Sequence, residues 1–312
     1  MFELKMDRKP VNTFNLAEDA TLLRVAIKTY TGNCKDKETS QEVADDKAAS
    51  ENRVNLYVSR IAKEDRLPPQ QIAGEARRYL DTLGAVWDKD GNRLIPNTIL
   101  ETVKTKLETY RVQFLAAVDT LLGRYEELKD KAKQPAPIGL GDLFDRVGFP
   151  EEREIKEKYS FEVRSGVFAD PNHLALKHVS PQARAEIEAN LRHDYDDKIA
   201  DIHKQVVTRV QKALLRVSQT LPAFEAGKVS RFEDGMFEGL QEIAEILPAL
   251  NITGDRTISD IVANVRTLIT KMDPIKLRDK KSPEGTEHRK EVVKVVGTLL
   301  AKINSGAVKA RV

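Results

Sequence analysis

Two apolar stripes constrain the fold of this 312-residue chain more than any other feature of its sequence. Along residues 97–134 and 180–222, apolar side chains recur every three or four positions, which is the period of one helix face. At about 1.5 Å per residue, the first helix would be about 55 Å long and would need a partner of similar length. We therefore predict that the two helices pair as an antiparallel coiled-coil hairpin, or that each stripe is buried in a second copy of the chain. The residues expected at this helix-pairing interface are Leu100, Val103, Leu107, Phe114, Leu121, Ile187, Leu191, Ile199, Ile202, Val206, Val210 and Leu214.

Residues 1–96 are predicted to form a small α+β region. The branched residues of 20–30 indicate a strand, with a short helix as the alternative. The polar stretch 33–52 is expected to be a loop or a weak helix, and residues 53–61 alternate like a second strand. Residues 85–96 carry an Asp-Gly pair between apolar residues, which is typical of a β-hairpin.

Prolines and glycines mark most of the remaining boundaries. Pro68 and Pro69 are expected in the first turn of a helix that continues to about residue 83. Residues 135–179 are predicted to be a linker with short strands, because they begin with closely spaced prolines and glycines. Residues 223–312 are predicted to form a helical bundle with a basic tail. The predicted fold class is mainly α, with a long helical hairpin, a helical bundle and a minor antiparallel sheet.

The composition argues against a membrane protein and against an exported one. Hydrophobic residues make up 40% of the chain, yet no apolar run approaches the roughly 20 residues that span a bilayer. The segment Met1–Pro10 is charged and lacks the apolar core of a signal peptide. The single cysteine, Cys34, is expected to be a free thiol, which fits a reducing compartment. We therefore expect a soluble, cytoplasmic protein.

One group of residues suggests a metal site. His193, Asp197 and Asp201 are spaced four apart and would share a face of the second long helix, where they would offer nitrogen and oxygen ligands. The competing interpretation is a solvated polar face, which the lack of a second ligand-rich helix favours. The sequence contains no nucleophile elbow, phosphate-binding loop or complete calcium loop, so we predict neither a cofactor nor an enzymatic activity.

Positive charge is concentrated near the C-terminal end of the sequence. Residues 271–312 carry 11 lysines and arginines and 5 acidic residues, a net charge of +6, whereas the whole chain has +2. This basic segment is suited to contact phosphates, but it offers no aromatic residue on which bases would stack. The alternatives are a solvated helix face and a protein docking surface. The nucleic-acid contacts that the first interpretation predicts are Lys276, Arg278, Lys280, Lys281, Arg289 and Lys290.

Four short segments carry a family resemblance. The sequence is LGDLFDRVGF at 140–149, YSFEV at 159–163, LPALN at 247–251 and LRVAIKTYTG at 23–32. Together they resemble the bacterial and phage family called domain of unknown function 3150, over about residues 20–269. The last of these segments lacks the tryptophan expected before its glycine. The resemblance implies no catalytic residues.

The resemblance also implies partners. Members of the family are encoded in phages and mobile elements, often beside a MoxR-type AAA+ ATPase and a von Willebrand A protein. We therefore hypothesise a non-enzymatic helical scaffold or adaptor in the cytoplasm of a bacterial host cell, which binds such protein partners or itself. The alternative is a nucleic-acid-binding accessory protein of phage or mobile-element DNA metabolism that uses the basic segment.

Overall fold

Helices dominate the chain and a small antiparallel sheet accompanies them, which confirms the predicted mainly α class. The computed structural model describes residues 15–228, 235–251, 256–279 and 281–304. The predictions made for Met1–Pro10 and Lys280 lie outside these ranges. None of the described helices combines the length and the apolar character that crossing a bilayer requires.

The elements follow one another in an order close to the predicted one. The helices are α1 (Leu16–Asp19), α2 (Lys37–Asp46), α3 (Lys63–Leu83), α4 (Asn97–Gly123), α5 (Tyr125–Ala132), α6 (Leu143–Val147), α7 (Glu152–Lys156), α8 (Pro181–Glu225), α9 (Gly235–Leu250), α10 (Arg256–Lys271), α11 (Pro274–Arg278) and α12 (Pro283–Asn304). The strands are β1 (Ala20–Lys28), β2 (Asn33–Asp36), β3 (Leu56–Ser59), β4 (Ala85–Val86), β5 (Arg93–Pro96) and β6 (Ser160–Gly166).

The chain divides into two compact units. The first contains the described residues of 1–23, 81–101 and 165–312, and the second contains residues 24–80 and 102–164. The chain thus crosses between the units at four places. Each region predicted from the sequence is one continuous stretch of the chain, whereas each compact unit combines several separate stretches.

The core of the first unit is built on α8. One face of this helix packs against α9 and α12, and α10 packs against these two helices in the same core. The α8 residues that are buried in this core are Ile202, Val206, Val210, Leu214, Val217 and Leu221. The predicted hairpin is confirmed and belongs to the same unit, because β4 pairs antiparallel with β5, with Ala85 opposite Leu94. β5 in turn pairs antiparallel with the start of β1, with Ala20 opposite Pro96.

The core of the second unit is built on α4. Phe114 and Val118 are buried in one cluster with Ala73 of α3 and Phe161 of β6. The Phe114 ring lies 6.1 Å from the Tyr159 ring and 5.6 Å from the Phe161 ring, in the tilted arrangements that aromatic pairs favour. In the same unit, β2 and β3 form a separate two-stranded antiparallel sheet.

The structure does not confirm the predicted coiled-coil hairpin. The stripe of α4 is covered by elements of the second unit, whereas the stripe of α8 is covered by elements of the first. Several shorter elements therefore bury each stripe where one long partner was expected. The first long helix is also interrupted, since α4 ends at Gly123 and Arg124 has φ −105° and ψ 6° before α5 begins. Glycine lowers helix propensity at this point.

Short elements occupy several segments predicted as loops or boundaries. The stretch 33–52 contains both β2 and α2, and Asp36 caps α2 by accepting a hydrogen bond from the N–H of Thr39 at 3.2 Å. α3 begins at Lys63, so Pro68 and Pro69 lie inside the helix and not in its first turn. Acidic residues occupy that first turn, where the helix dipole favours them.

Candidate functional site

The first half of α8, residues 181–201, contains no buried side chain. We call this segment the arm. Its start matches the prediction, because the Ser180 hydroxyl accepts a hydrogen bond from the N–H of Ala183 at 3.2 Å and Pro181 lies in the first turn. The arm is therefore a regular, capped helix whose side chains are all exposed or partly exposed.

An apolar line runs along the arm. Ile187, Leu191 and Tyr195 follow one another at intervals of four residues, so they share one helix face. Ile187 is 42% exposed, whereas Leu191 and Tyr195 are half-buried. This line continues, in the N-terminal direction, the stripe that is buried from Ile202 onward. The apolar stripe of α8 thus extends beyond the core that covers it.

Aromatic side chains fix the base of the arm. The Trp87 ring lies 4.7 Å from the Phe168 ring and 6.1 Å from the Tyr195 ring, all three edge to face. The Tyr195 hydroxyl donates to the carbonyl of Ala169 at 3.0 Å, and the Lys198 ammonium donates to the carbonyl of Trp87 at 2.9 Å. Trp87 therefore holds the base of the arm through both its ring and its carbonyl.

Gln205 binds the main chain of the sheet edge. Its side chain accepts a hydrogen bond from the N–H of Val86 at 2.8 Å and donates to the Val86 carbonyl at 3.1 Å. Val86 belongs to β4, which is an edge strand of the four-stranded sheet β4-β5-β1-β6. The glutamine amide therefore satisfies main-chain groups on the side of β4 that faces away from β5.

Arg209 binds the same segment one helical turn further along α8. Its guanidinium donates to the carbonyls of Thr82 at 2.9 Å and Gly84 at 2.5 Å. Burial lowers the pKa of Arg209, and the charge of Arg93 lowers it further. The carboxylate of Asp81 pairs with Arg93 at 2.6 Å. The positive charge of Arg209 is thus held by carbonyl dipoles.

A groove lies between this face of α8 and Val86. We call it the α8 groove, and its volume is about 380 Å³. Its α8 residues occupy every third or fourth position, so they form one continuous face of the helix. The lining consists of Val86, Asp201, Lys204, Gln205, Thr208, Arg209 and Lys212.

The predicted metal ligands do not assemble. His193 Nε2 lies 3.7 Å from the nearer Asp197 oxygen, and both side chains are largely exposed. Asp201 lines the α8 groove. Across the described ranges, no three His, Cys, Asp or Glu residues are placed to hold a metal ion. The free thiol of Cys34 is partly exposed.

Arg289, predicted as a nucleic-acid contact, is buried, so that prediction is wrong. Its side chain is 3% exposed and its Nε donates to the carboxylate of Glu225. Nη1 donates to the carbonyls of Leu277 at 3.0 Å and Asp279 at 2.8 Å, and Nη2 donates to the Thr286 hydroxyl at 3.0 Å. Periodicity explains the error, because residue 289 falls on the face of α12 that also buries Val292 and Val296.

The other predicted contacts of the basic segment lie at the surface. Lys276 is exposed and its ammonium lies 3.8 Å from Glu284, so part of its charge is compensated. Arg278, Lys281 and Lys290 are exposed. Their binding to nucleic acid stays a prediction.

The predicted helix-pairing residues separate into three groups. Those buried in the second unit are Val103, Leu107, Phe114 and Leu121. Those buried in the first unit are Ile202, Val206, Val210 and Leu214. Those that are not buried are Leu100, Ile187, Leu191 and Ile199.

Comparisons with known proteins found no match to the sequence among family models, curated proteins or solved structures. The resemblance to the domain-of-unknown-function 3150 family therefore stays a prediction.

Proposed function

We propose that this protein is a non-enzymatic helical scaffold or adaptor that binds a helix of a partner protein through the arm. The observation that carries the proposal is the absence of any buried side chain over residues 181–201, in a helix whose apolar spacing continues unchanged. Without a partner, Ile187 and the exposed part of Leu191 would lie against water.

The coiled coil expected from the sequence is, in this proposal, formed between chains. Ile187 and Leu191 would insert between side chains of the partner helix, as apolar residues at these spacings do in coiled coils. Lys198 and Gln205 hold the base of the arm against the main chain of β4 and the residue after it, which would fix the direction of the arm. The family resemblance supplies the candidate partners, a MoxR-type AAA+ ATPase and a von Willebrand A protein, beside a second copy of this chain.

The test compares two double variants with the same charge change. Ile187→Glu with Leu191→Glu places carboxylates on the apolar line, whereas Ala189→Glu with Asn190→Glu places them on exposed positions of the same turns. Light scattering after size exclusion measures self-association, and co-purification with the ATPase and the von Willebrand A protein of the same genome measures partner binding.

The first double variant is expected to lose the complex by at least about tenfold in affinity, because it buries charge in the interface. The second is expected to bind within about twofold, as surface changes away from an interface do. Equal binding by both variants, or a wild-type chain that stays monomeric and binds neither protein, would contradict the proposal.

A further inference from the structure

The α8 groove carries more positive than negative charge. Its lining contains three cationic side chains, Lys204, Arg209 and Lys212, and one carboxylate, Asp201. Lys204 and Lys212 are exposed, and neither forms an ion pair with any other residue that the structure describes. The groove therefore presents two ammonium groups that have no partner within the described chain.

Arg209 adds a third positive charge at the floor of the groove. Its terminal nitrogens bind the carbonyls of Thr82 and Gly84, and burial lowers its pKa. Carbonyl dipoles orient the guanidinium without cancelling its charge. An anion in the groove would therefore interact favourably with three cations, two of them exposed and one partly shielded from water.

The spacing of the lysines points to a ligand with more than one phosphate. Lys204 and Lys212 are eight residues apart on one helix, a rise of about 12 Å. A single phosphate does not span this distance, whereas successive phosphates of a nucleic-acid strand do. Among the described residues, the lining offers one apolar side chain, Val86, and no aromatic ring, so a peptide would lack the apolar anchor that peptide sites use.

We propose that the α8 groove binds the phosphodiester backbone of nucleic acid through Lys204 and Lys212. Binding is independent of base sequence, because contacts to phosphates carry no base information and the groove has no stacking surface. Asp201 is the one lining residue that belongs to the arm, and both lysines lie outside the arm and outside the basic segment at residues 271–312. The proposed site therefore stands or fails independently of the scaffold proposal.

Fluorescence anisotropy with the full chain and labelled 20-nucleotide single and double strands tests the proposal. The wild-type chain is expected to bind with a Kd of about 1 to 100 µM at physiological salt, the range of non-specific binding, and more tightly at lower salt. Lys204→Glu with Lys212→Glu is expected to weaken binding at least about tenfold and to lower the slope of log Kd against log salt by about two, one for each lost phosphate contact. Lys204→Gln with Lys212→Gln removes the two positive charges without adding negative ones, so it measures the loss of the phosphate contacts without the repulsion that glutamates add.

Two matched controls locate the site. Lys89→Glu with Lys177→Glu makes the same charge change at exposed positions of the same unit and is expected to alter Kd by about twofold or less. Lys290→Glu with Lys294→Glu makes it on α12, in the basic segment. A loss of binding in the α12 variant alone, or an equal loss in all three glutamate variants, would overturn the assignment to the α8 groove.

Competitors distinguish the ligand class. Poly-glutamate, inorganic phosphate and a mononucleotide are added at equal ionic strength, and none is expected to displace the labelled strand beyond the effect of salt. Displacement by poly-glutamate would indicate an acidic-peptide site, and displacement by phosphate or the mononucleotide would indicate a site for a single phosphate. Either result, or no binding by the wild-type chain, would overturn the proposal.

Asp201→Asn is expected to change the affinity in the opposite direction from the lysine variants. Asp201 supplies the single negative charge of the lining, so its removal is expected to tighten binding by about twofold to threefold. A general loss of structure would weaken binding, so a tighter Kd cannot arise from misfolding. Unchanged or weaker binding by a folded Asp201→Asn chain would count against the groove.

Discussion

The two halves of α8 share one apolar spacing but differ in burial. From Ile202 to Leu221 the stripe is fully buried in the core of the first unit, whereas none of residues 181–201 is buried. Periodicity therefore identifies the face of a helix that is apolar, and the rest of the chain decides how much of that face is covered. In α8 the covered half stabilises the fold, and we propose that the other half binds a partner.

Leucine truncation along α8 is expected to give the largest contrast between the halves. Leu214→Ala should lower the free energy of unfolding by about 4 kcal/mol, because the side chain is fully buried and leaves a cavity. Leu191→Ala should lower it by less than about 1 kcal/mol, since Leu191 is only half-buried. Urea unfolding measures both. Leu215→Ala, at a side chain that is 43% exposed, is the control within the covered half.

The C-terminal end of the covered half is fixed by Arg289. Arg289→Ala should cost about 3 kcal/mol of unfolding free energy, because it leaves the carbonyls of Leu277 and Asp279 without their donor. The neighbouring Lys290→Ala should cost no more than about 0.5 kcal/mol, as exposed substitutions do. If both variants lowered the free energy of unfolding by similar amounts, Arg289 would be a surface residue, as the sequence suggested.

Gln205 lies just inside the covered half, close to its junction with the arm. Gln205→Ala should lower the free energy of unfolding by about 1 kcal/mol, which is the usual net contribution of one hydrogen bond. The loss is small because water partly replaces the two hydrogen bonds to Val86. Gln211→Ala, whose side chain bonds Asn304 at 3.0 Å at the surface, is expected to cost less. The reverse order would contradict the role assigned to Gln205.

The smallest expected effect is a pH dependence at the Glu225–Arg289 pair. The hydrogen bond from Arg289 lowers the pKa of Glu225 below its ordinary value. The pair therefore contributes stability above the ordinary glutamate pKa, near 4.3, and this contribution is lost as pH falls through the lowered folded-state pKa. Wild type should exceed Glu225→Gln in stability at pH 7, and the difference should shrink toward pH 3. A constant difference would contradict the assignment.

The sequence predicted the elements of this fold better than their packing. The start of α8 at Ser180 and Pro181, strand β1 and the hairpin of β4 and β5 follow from local signals, and the structure confirms them. The break after Gly123 was missed because a single glycine rarely outweighs a continuous apolar stripe.

The contacts that build the candidate site were beyond local signals. Gln205 and Val86 are 119 residues apart in the chain, and Lys198 and Trp87 are 111 apart. Polar residues on a helix face look the same in a sequence whether they contact water or the main chain of a sheet edge. Arg289 differs in this respect, because its helical spacing from Val292 and Val296 indicated the buried face of α12.

Hydrogen exchange along α8, measured by mass spectrometry on the full chain, gives the sharpest test of the proposal that the core covers only one half of this helix. We expect slow exchange, near the global unfolding limit, for amides of the covered half, and exchange at least about tenfold faster in the arm, where few contacts oppose local opening. Equal, slow exchange in both halves would contradict the proposal, because it would show that the arm is already covered by the chain itself.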